Sequence, residues 1–354
     1  MKKIFRLLFI MMLVLALAVG CAQTEKTETE GEVQETEKQE EVVDSQEEID
    51  AEEEKLEPIT VSVAAPAGAP TLSMIRMFKH NPSLGESVEV SYESVKSPDL
   101  MAARMISGEV DIAVVPSNLA IKLYNKEVEF TFAGASVWGV LYIVSTEEDV
   151  STWEDLKGKE INMLGRGLTP DIITRFLMKE NGIIPDEDVR FNYVAGGAGL
   201  AQLLIAGESN LSILPEPTLT KVLMKQPKAR VILDLQEEWA KATGSDAGYP
   251  QAVLVISNEL IESRPDVVAN FLREYEAGIK WLNENPEQAG NYSEELQLGL
   301  NAKIVTKSIE RSNIMFKNAK DSKEAIMQYY KILHGFSPEV IGGKLPDEGF
   351  FLQQ

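Results

Sequence analysis

The sequence predicts an α/β protein built as two like lobes, and three observations carry that prediction. Met105 to Pro116 reads MISGEVDIAVVP and Leu204 to Pro215 reads LIAGESNLSILP. A helix end, a Gly-Glu turn, a short apolar strand and a closing proline thus recur at a constant offset of 99 residues. Two copies are too few for a solenoid and suit a pair of similar lobes. The length of 354 residues exceeds what one core ordinarily organises. Finally, two extended apolar runs, Phe130 to Ser145 and Ala252 to Ser257, read as crossings between the lobes.

The chain opens with Lys2, Lys3 and Arg6, followed by an unbroken apolar run from Leu7 to Val19. That run is shorter than the roughly 20 residues a bilayer requires, so residues 1–21 read as an export signal. Leu17-Ala18-Val19-Gly20-Cys21 resembles the bacterial lipobox, whose cysteine becomes the diacylated first residue of the mature protein. Ala18 departs from it, since leucine is usual there; the alternative is an ordinary secretory peptide with an incidental cysteine. Acyl chains contribute about 0.8 kcal/mol per buried methylene, enough for two or three of them to hold a protein at a membrane. Cys21 is the only cysteine, which excludes an intramolecular disulfide, a thiol redox pair and a cysteine-based metal site.

Residues 22–57 hold fourteen Glu, two Asp and three Lys, with almost nothing to bury. Such a segment is expected to be a disordered, self-repelling tether, the alternative being an acidic tail that captures cations. The signal contributes +3 and the tether −13 to the net charge of −22, which leaves −12 for residues 58–354. That balance sets nucleic acid aside as a partner, because a phosphate backbone calls for an excess of Lys and Arg.

Lobe 1 is expected to span residues 58–147 plus 248–354. Ile59 to Ala64 is a β-branched strand; Pro66-Ala67-Gly68-Ala69-Pro70-Thr71 turns it into a helix through Leu72, Ile75, Met77 and Phe78. A strand that enters a helix through a Gly/Pro turn presents free helix N–H groups at its end. Ser87 to Tyr92 is a second strand, and Ser97-Pro98-Asp99 supplies an N-cap, a proline at the first helical position and an early acid. The helix that follows feeds the first copy of the repeat, with strand Ile112 to Val115 and the turn Pro116-Ser117-Asn118. Alternating strands and helices predict a parallel sheet. Trp138, beside Gly139 in the first crossing, reads either as a core aromatic or as part of a cleft wall.

Lobe 2 is expected at 148–247. Ser151-Thr152-Trp153-Glu154 has the spacing of a capping box, and Asp155-Leu156-Lys157-Gly158-Lys159 leads to strand Ile161 to Leu164. Gly165-Arg166-Gly167-Leu168-Thr169-Pro170-Asp171 repeats the earlier start, with Thr169 as cap and Pro170 at the first helical position. Strand Arg190 to Val194, the turn Ala195 to Gly199 and helix Leu200 to Ile205 bring in the second copy of the repeat, which runs into Pro215-Glu216-Pro217-Thr218. Gly165-Arg166-Gly167 and Gly197-Ala198-Gly199 lack the third glycine of a dinucleotide fingerprint and the Gly-Lys-Ser/Thr ending of a phosphate loop. Nucleotide binding is therefore set aside.

Tyr249-Pro250-Gln251 opens the return crossing. Helices are expected over Pro265 to Asn283, Pro286 to Tyr292, Ala302 to Asn313 and Ser322 to His334. Two crossings form a two-strand hinge, the element that permits closure of one lobe on the other.

The lipobox, the turn at Pro66 to Thr71, the repeated Ser-Gly-Glu-Val-Asp-Ile-Ala-Val form, Asp155 to Lys159 and Leu214-Pro215-Glu216-Pro217 together resemble the substrate-binding proteins of ABC transporters. The likeness covers residues 59 to about 350 and points to the nitrate/sulfonate/taurine group and its relatives that bind thiamine-pyrimidine precursors. It implies a type II periplasmic-binding-protein fold, with two Rossmann-like lobes and a ligand cleft between them. It also implies an extracytoplasmic monomer anchored through lipidated Cys21, whose partners are a small-molecule ligand and the permease and ATPase subunits of an importer. The contacts it implies are Gly68, Ala69, Thr71, Ser117 and Asn118 in lobe 1, and Arg166, Gly167, Thr169, Gly197, Glu216 and Thr218 in lobe 2. Trp138 and Tyr249 would supply stacking surface beside the hinge.

Several helix N-termini aimed at one cleft favour an anion. Arg166 either grips a sulfonate or carboxylate bidentately or serves as a lobe-to-lobe bridge or a solvated loop residue. Glu216 either accepts an amine or ring N–H or caps the helix after Pro215. The neutral Pro116-Ser117-Asn118 turn would thus face an acidic Pro215-Glu216-Pro217 turn, and ligand identity is expected to be read there. No catalytic set, cofactor site or metal site is expected: His80 and His334 lie near helix ends, and no Gly-x-Ser-x-Gly elbow occurs. The rival classes are a fold-related cytosolic enzyme, a pyrimidine-precursor synthase or menaquinone-pathway enzyme, and a ligand sensor.

Overall fold

The computed structural model describes residues 57–96, 98–194, 196–244 and 248–353. The expected export signal with Cys21, the tether up to residue 56, the Ser97 cap and Ala195 lie outside them. In the first segment, β1 (Ile59–Pro66) leads through α1 (Ala69–Leu72) and α2 (Ile75–His80) to β2 (Val88–Val95). Then come α3 (Pro98–Ile106), β3 (Ile112–Pro116), α4 (Ser117–Tyr124) and β4 (Phe130–Trp138). The second segment holds β5 (Leu141–Ser145), β6 (Glu160–Met163), α5 (Thr169–Glu180), β7 (Arg190–Tyr193), α6 (Gly197–Ile205), β8 (Leu211–Pro215), α7 (Thr218–Lys225), β9 (Arg230–Asp234) and α8 (Leu235–Thr243). The third returns with β10 (Pro250–Ser257), α9 (Asn258–Ser263), α10 (Pro265–Glu284), α11 (Pro286–Glu295), α12 (Ala302–Ser308), β11 (Ile314–Asn318) and α13 (Ala319–Phe336).

The strands form two sheets, of order β11-β4-β10-β3-β1-β2 and β7-β6-β8-β5-β9. β1 pairs in parallel with β2 and β3, and β6 in parallel with β7 and β8. Each sheet is nevertheless mixed rather than parallel throughout. β10 runs antiparallel to β3 and β4, β11 antiparallel to β4, and β5 antiparallel to β8 and β9. A strand that has just crossed from the other sheet arrives at the opposite end and must run against its new neighbours.

Both copies of the repeat close their helices identically. Glu109 N–H donates to Arg104 O and Gly108 N–H to Met105 O; Glu208 N–H donates to Leu203 O and Gly207 N–H to Leu204 O. Gly108 and Gly207 sit at φ +72° and +73°. This is the Schellman closure, in which the left-handed residue is glycine because a Cβ there is strained. The repeated Gly-Glu is thus a helix stop that launches a buried strand.

One apolar cluster runs from one sheet to the other through Phe132, Ile143, Ile173, Trp239, Tyr249 and Tyr329. The far face of the six-stranded sheet packs on Leu72, Phe271 and Tyr275, and the far face of the five-stranded sheet on Leu200, Leu204 and Leu219. Among the described residues no helix is long and apolar enough to cross a membrane.

Several expectations need correction. Leu141–Ser145 pairs with β8 and β9, so Phe130 to Ser145 is not one crossing strand but two strands, β4 and β5, with the passage between sheets at Gly139-Val140. Ser151 to Glu154 is no capping box: Asp155 accepts from Ser151 N, Thr152 N and Thr152 Oγ1 around a short 3-10 turn at Glu154–Leu156. The helix expected to Asn313 stops at Ser308 and is followed by a 3-10 turn at Glu310–Ser312 and an unforeseen strand, β11. β9, α8 and α9 were likewise not foreseen.

At the crossing, a Cβ on Gly139 would lie 2.7 Å from Tyr249 Cε1 and 2.8 Å from Gln236 Cδ. Gly139→Ala is therefore expected to destabilise the fold by about 1–3 kcal/mol through overpacking. Urea denaturation should show a lowered midpoint with an unchanged slope; an unchanged midpoint would mean that the crossing has room to spare.

Candidate ligand cleft

Parallel pairing gives the edges at which a ligand cleft is expected. The carboxyl ends of β1 and β3 share one edge of the first sheet, those of β6, β7 and β8 share one edge of the second, and each strand turns there into a helix. In open α/β sheets ligands bind outside such strand ends. The two edges face each other, because Asn118 Nδ2 at the start of α4 donates to Gly167 O at 3.1 Å and Thr169 Oγ1 at the start of α5 donates to Asn118 Oδ1 at 3.2 Å.

The β6–α5 turn is held by a buried carboxylate. Asp171, 4% exposed, accepts from Gly167 N at 2.8 Å, Arg175 Nε at 2.6 Å and Tyr193 Oη at 2.7 Å. Arg175 also donates to Tyr193 Oη and forks onto Asp186. Burial pushes the Tyr193 phenol up to about 12, with its Arg175 and Asp171 bonds opposing each other, so it stays a donor to Asp171. This network holds Tyr193 as the platform for Arg166, whose guanidinium lies 5.2 Å from the ring centroid. Arg166 is exposed and makes no ion pair among the described residues.

Glu216 is 2% exposed and its oxygens are already engaged. Thr220 N and Oγ1 donate to it at 3.1 and 2.9 Å, which caps α7, and Arg311 Nε donates at 2.7 Å. Burial raises its pKa while Arg311 and Thr220 pull it down. The expected acidic wall is thus neutralised within the protein, and the capping role of Glu216 is the observed one.

Other expected contacts are likewise engaged internally. Thr71 Oγ1 donates to Pro66 O and shares a bond with Ser94 Oγ, joining the ends of β1 and β2. Ser117 Oγ donates to Pro250 O. Thr169 is the first residue of α5 rather than its cap, its hydroxyl having turned to Asn118. Trp138 belongs to the core, with Nε1 donating to Met315 O at 2.9 Å, and Tyr249 is fully buried edge-on against Trp239. Ala69 is buried in α1. What remains at the strand ends is the half-buried backbone at Gly68, the Arg166 side chain, and Gly197 with Thr218. A Cβ on Gly197 would fall 2.6 Å from Thr218 Oγ1, so α6 and α7 begin in close contact and a larger residue at 197 would have to turn that hydroxyl aside. Paired helix N-termini are anion-favouring ground.

Arg175, Tyr193 and Arg311 escaped the sequence reading. Asp171 and Arg175 stand four apart on one helix face, a legible ion-pair spacing. Arg311 is 95 residues from Glu216 and carries no local signal.

The model of the family described as NMT1/THI5 like matches residues 85–289, more than half of the chain. The chain belongs to the NMT1/THI5-like family. Among solved structures, this family member is similar to an ABC transporter from Parabacteroides distasonis, with 27% identity and a TM-score of 0.71 over 83% of this chain and 99% of that one. It is similar in fold to the aliphatic sulphonate binding protein SsuA from Escherichia coli (14% identity, TM-score 0.64, 81% of this chain and 89% of that one). The same holds for the nitrate-binding protein NrtA from Synechocystis (13%, 0.62, 80% and 84%). The NMT1/THI5-like chain therefore has the mixed α/β periplasmic-binding-protein fold. A comparison with curated proteins finds no match.

Arg311→Ala is expected to cost about 2 kcal/mol at pH 7, less than the 3–5 of a fully enclosed pair because the Arg311 side chain is 39% exposed. Loss of the cation raises the Glu216 pKa further above its unfolded value, so ionised Glu216 opposes folding at neutral pH. That cost disappears once the pH falls to the ordinary glutamate range. Thermal denaturation should show the deficit against wild type narrowing between pH 7 and pH 5, whereas equal deficits would clear Glu216.

Proposed function

We propose that this protein captures a small anionic or zwitterionic organic solute between its two halves and delivers it to an ABC importer. The halves would be lobe 1, ending at the Gly139-Val140 crossing and resuming at residue 248, and lobe 2 between them. The observation that carries this reading is Arg166, an exposed cation that makes no ion pair among the described residues, held over Tyr193 beside the N-termini of α5 and α6, with Asp186, already bonded by Arg175, as its acidic neighbour. In a chain of net charge −22 an arginine at the strand ends that is left out of every ion pair among the described residues favours an anion there. The fold shared with a sulphonate-binding and a nitrate-binding protein supports the solute class, sulfonate, taurine, nitrate or a pyrimidine-like compound. The export signal and lipobox support an extracytoplasmic protein anchored through Cys21, acting as a monomer with permease and ATPase subunits as partners.

A thermal-shift screen of sulfonates, taurine, nitrate, pyrimidines and flavins tests the reading. A ligand at 100 times its dissociation constant adds about 2.7 kcal/mol to stability, and silence from every compound would overturn the solute class. For a compound that binds, Arg166→Ala is expected to weaken affinity at least tenfold, since a hydrogen bond to a charged group contributes about 1.5–3 kcal/mol. Titration calorimetry with unchanged affinity would take Arg166 out of the site.

A further inference from the structure

Asn118 is the second residue of α4 and fully buried, so its amide needs partners from within the protein. It does not cap α4. Nδ2 donates to Gly167 O at 3.1 Å and to Val340 O at 3.3 Å, and Oδ1 accepts from Thr169 Oγ1 at 3.2 Å. Thr169 Oγ1 in turn accepts from Tyr329 Oη at 3.4 Å. Gly167 and Thr169 lie in the segment of the five-stranded sheet. Val340 and Tyr329 lie in the C-terminal segment, which is fastened to α4 by Asn125 Nδ2 on Ile341 O and by Tyr330 Oη on Ser117 O. One amide thus joins three segments at one buried point, with both of its polar atoms engaged.

We infer that Asn118 is a closure contact: its amide holds the α4 edge of the first half against the α5 edge of the second, and it is a positioning residue rather than a ligand contact. Its surroundings suit that role. Phe176, Trp239, Tyr329 and Phe336 pack around the same junction and shield it, with Trp239 at 5.7 Å from Tyr329 and Phe176 at 6.3 Å from Phe336. The bonds are neutral, and water can replace them when the junction opens, so the contact is reversible. A second group of bonds between the halves, from Arg311 to Glu216 and Thr220 and from Tyr142 to Arg311 O, differs in kind. Glu216 N donates to Val140 O, and Asn313 Nδ2 to Gly139 O, so that group is tied to the crossing itself and turns with it.

The inference rests on the two-half receptor proposed above, and its test needs no ligand. Ile106, 60% exposed at the end of α3, and Ile184, 51% exposed just beyond α5, lie at the far ends of the two halves. Spin labels at Ile106→Cys and Ile184→Cys, in the full chain carrying Cys21→Ser, report their separation by pulsed dipolar spectroscopy. The informative variant is Asn118→Asp. It places an acid in the first turn of α4, which favours the helix, and it can still accept from Thr169, yet it sets a carboxylate oxygen against the Gly167 and Val340 carbonyls. The ratio of long to short separations is expected to rise by about tenfold or more, with the circular-dichroism melt still cooperative. Thr169→Val should produce a smaller rise. Arg166→Ala should leave the distances unchanged, which separates this result from the ligand assignment. A wild-type distance distribution in folded Asn118→Asp and Asn118→Ala would overturn the inference.

Discussion

Parallel pairing is the constraint on which the rest depends. Because β1 lies parallel to β3, and β6 to β7 and β8, their carboxyl ends are delivered to common edges, and a helix must begin at each of them. Every such beginning exposes backbone N–H groups that need acceptors. The chain meets part of that demand with its own carboxylates, Asp171 accepting from Gly167 N and Glu216 from Thr220 N, while Asn118 and Thr169 bond each other across the two edges instead.

The electrostatic outcome is not what the net charge announces. Of the acids at these strand ends, Asp171 is bonded by Gly167 N, Arg175 and Tyr193, and Glu216 by Thr220 and Arg311. Both carboxylates are used up within the protein, while Arg166 makes no ion pair among the described residues. A chain of net charge −22 therefore presents a cation beside helix N-termini at the place where its sheets meet. Overall acidity governs solubility and long-range steering; the local balance governs recognition.

Architecture was largely legible in the sequence, because the repeat, the two crossings and the strand-to-helix turns are local patterns. Side-chain roles were less so. Thr71, Ser117, Asn118 and Thr169 have the composition of a ligand-binding rim, yet each spends its hydroxyl or amide on another part of the chain. Trp138 reads equally as wall or core until Met315 O supplies a partner for its indole N–H. The unforeseen pieces share one cause. β9 and β11 are short strands defined by partners far away in sequence, and Arg311 meets Glu216 across 95 residues. Periodicity carries no trace of such distant pairings.

The repeat itself then acquires a different meaning. Its two copies end in the same Schellman closure and the same buried strand, and diverge only at Pro116-Ser117-Asn118 and Pro215-Glu216-Pro217. Both divergent turns are committed to joining the halves. Ser117 bonds Pro250 at the return crossing and Asn118 bonds Gly167, while Glu216 bonds Val140 at the outward crossing and Arg311 beyond it. The strand ends nearest the crossings have to serve as the joint, since there the backbone passes from one sheet to the other and few positions are free to face a solute. The turns one and two strands farther out, at Gly68, Arg166 and Gly197, keep accessible positions. Similarity between the lobes ends there, and a different residue can be placed on each side.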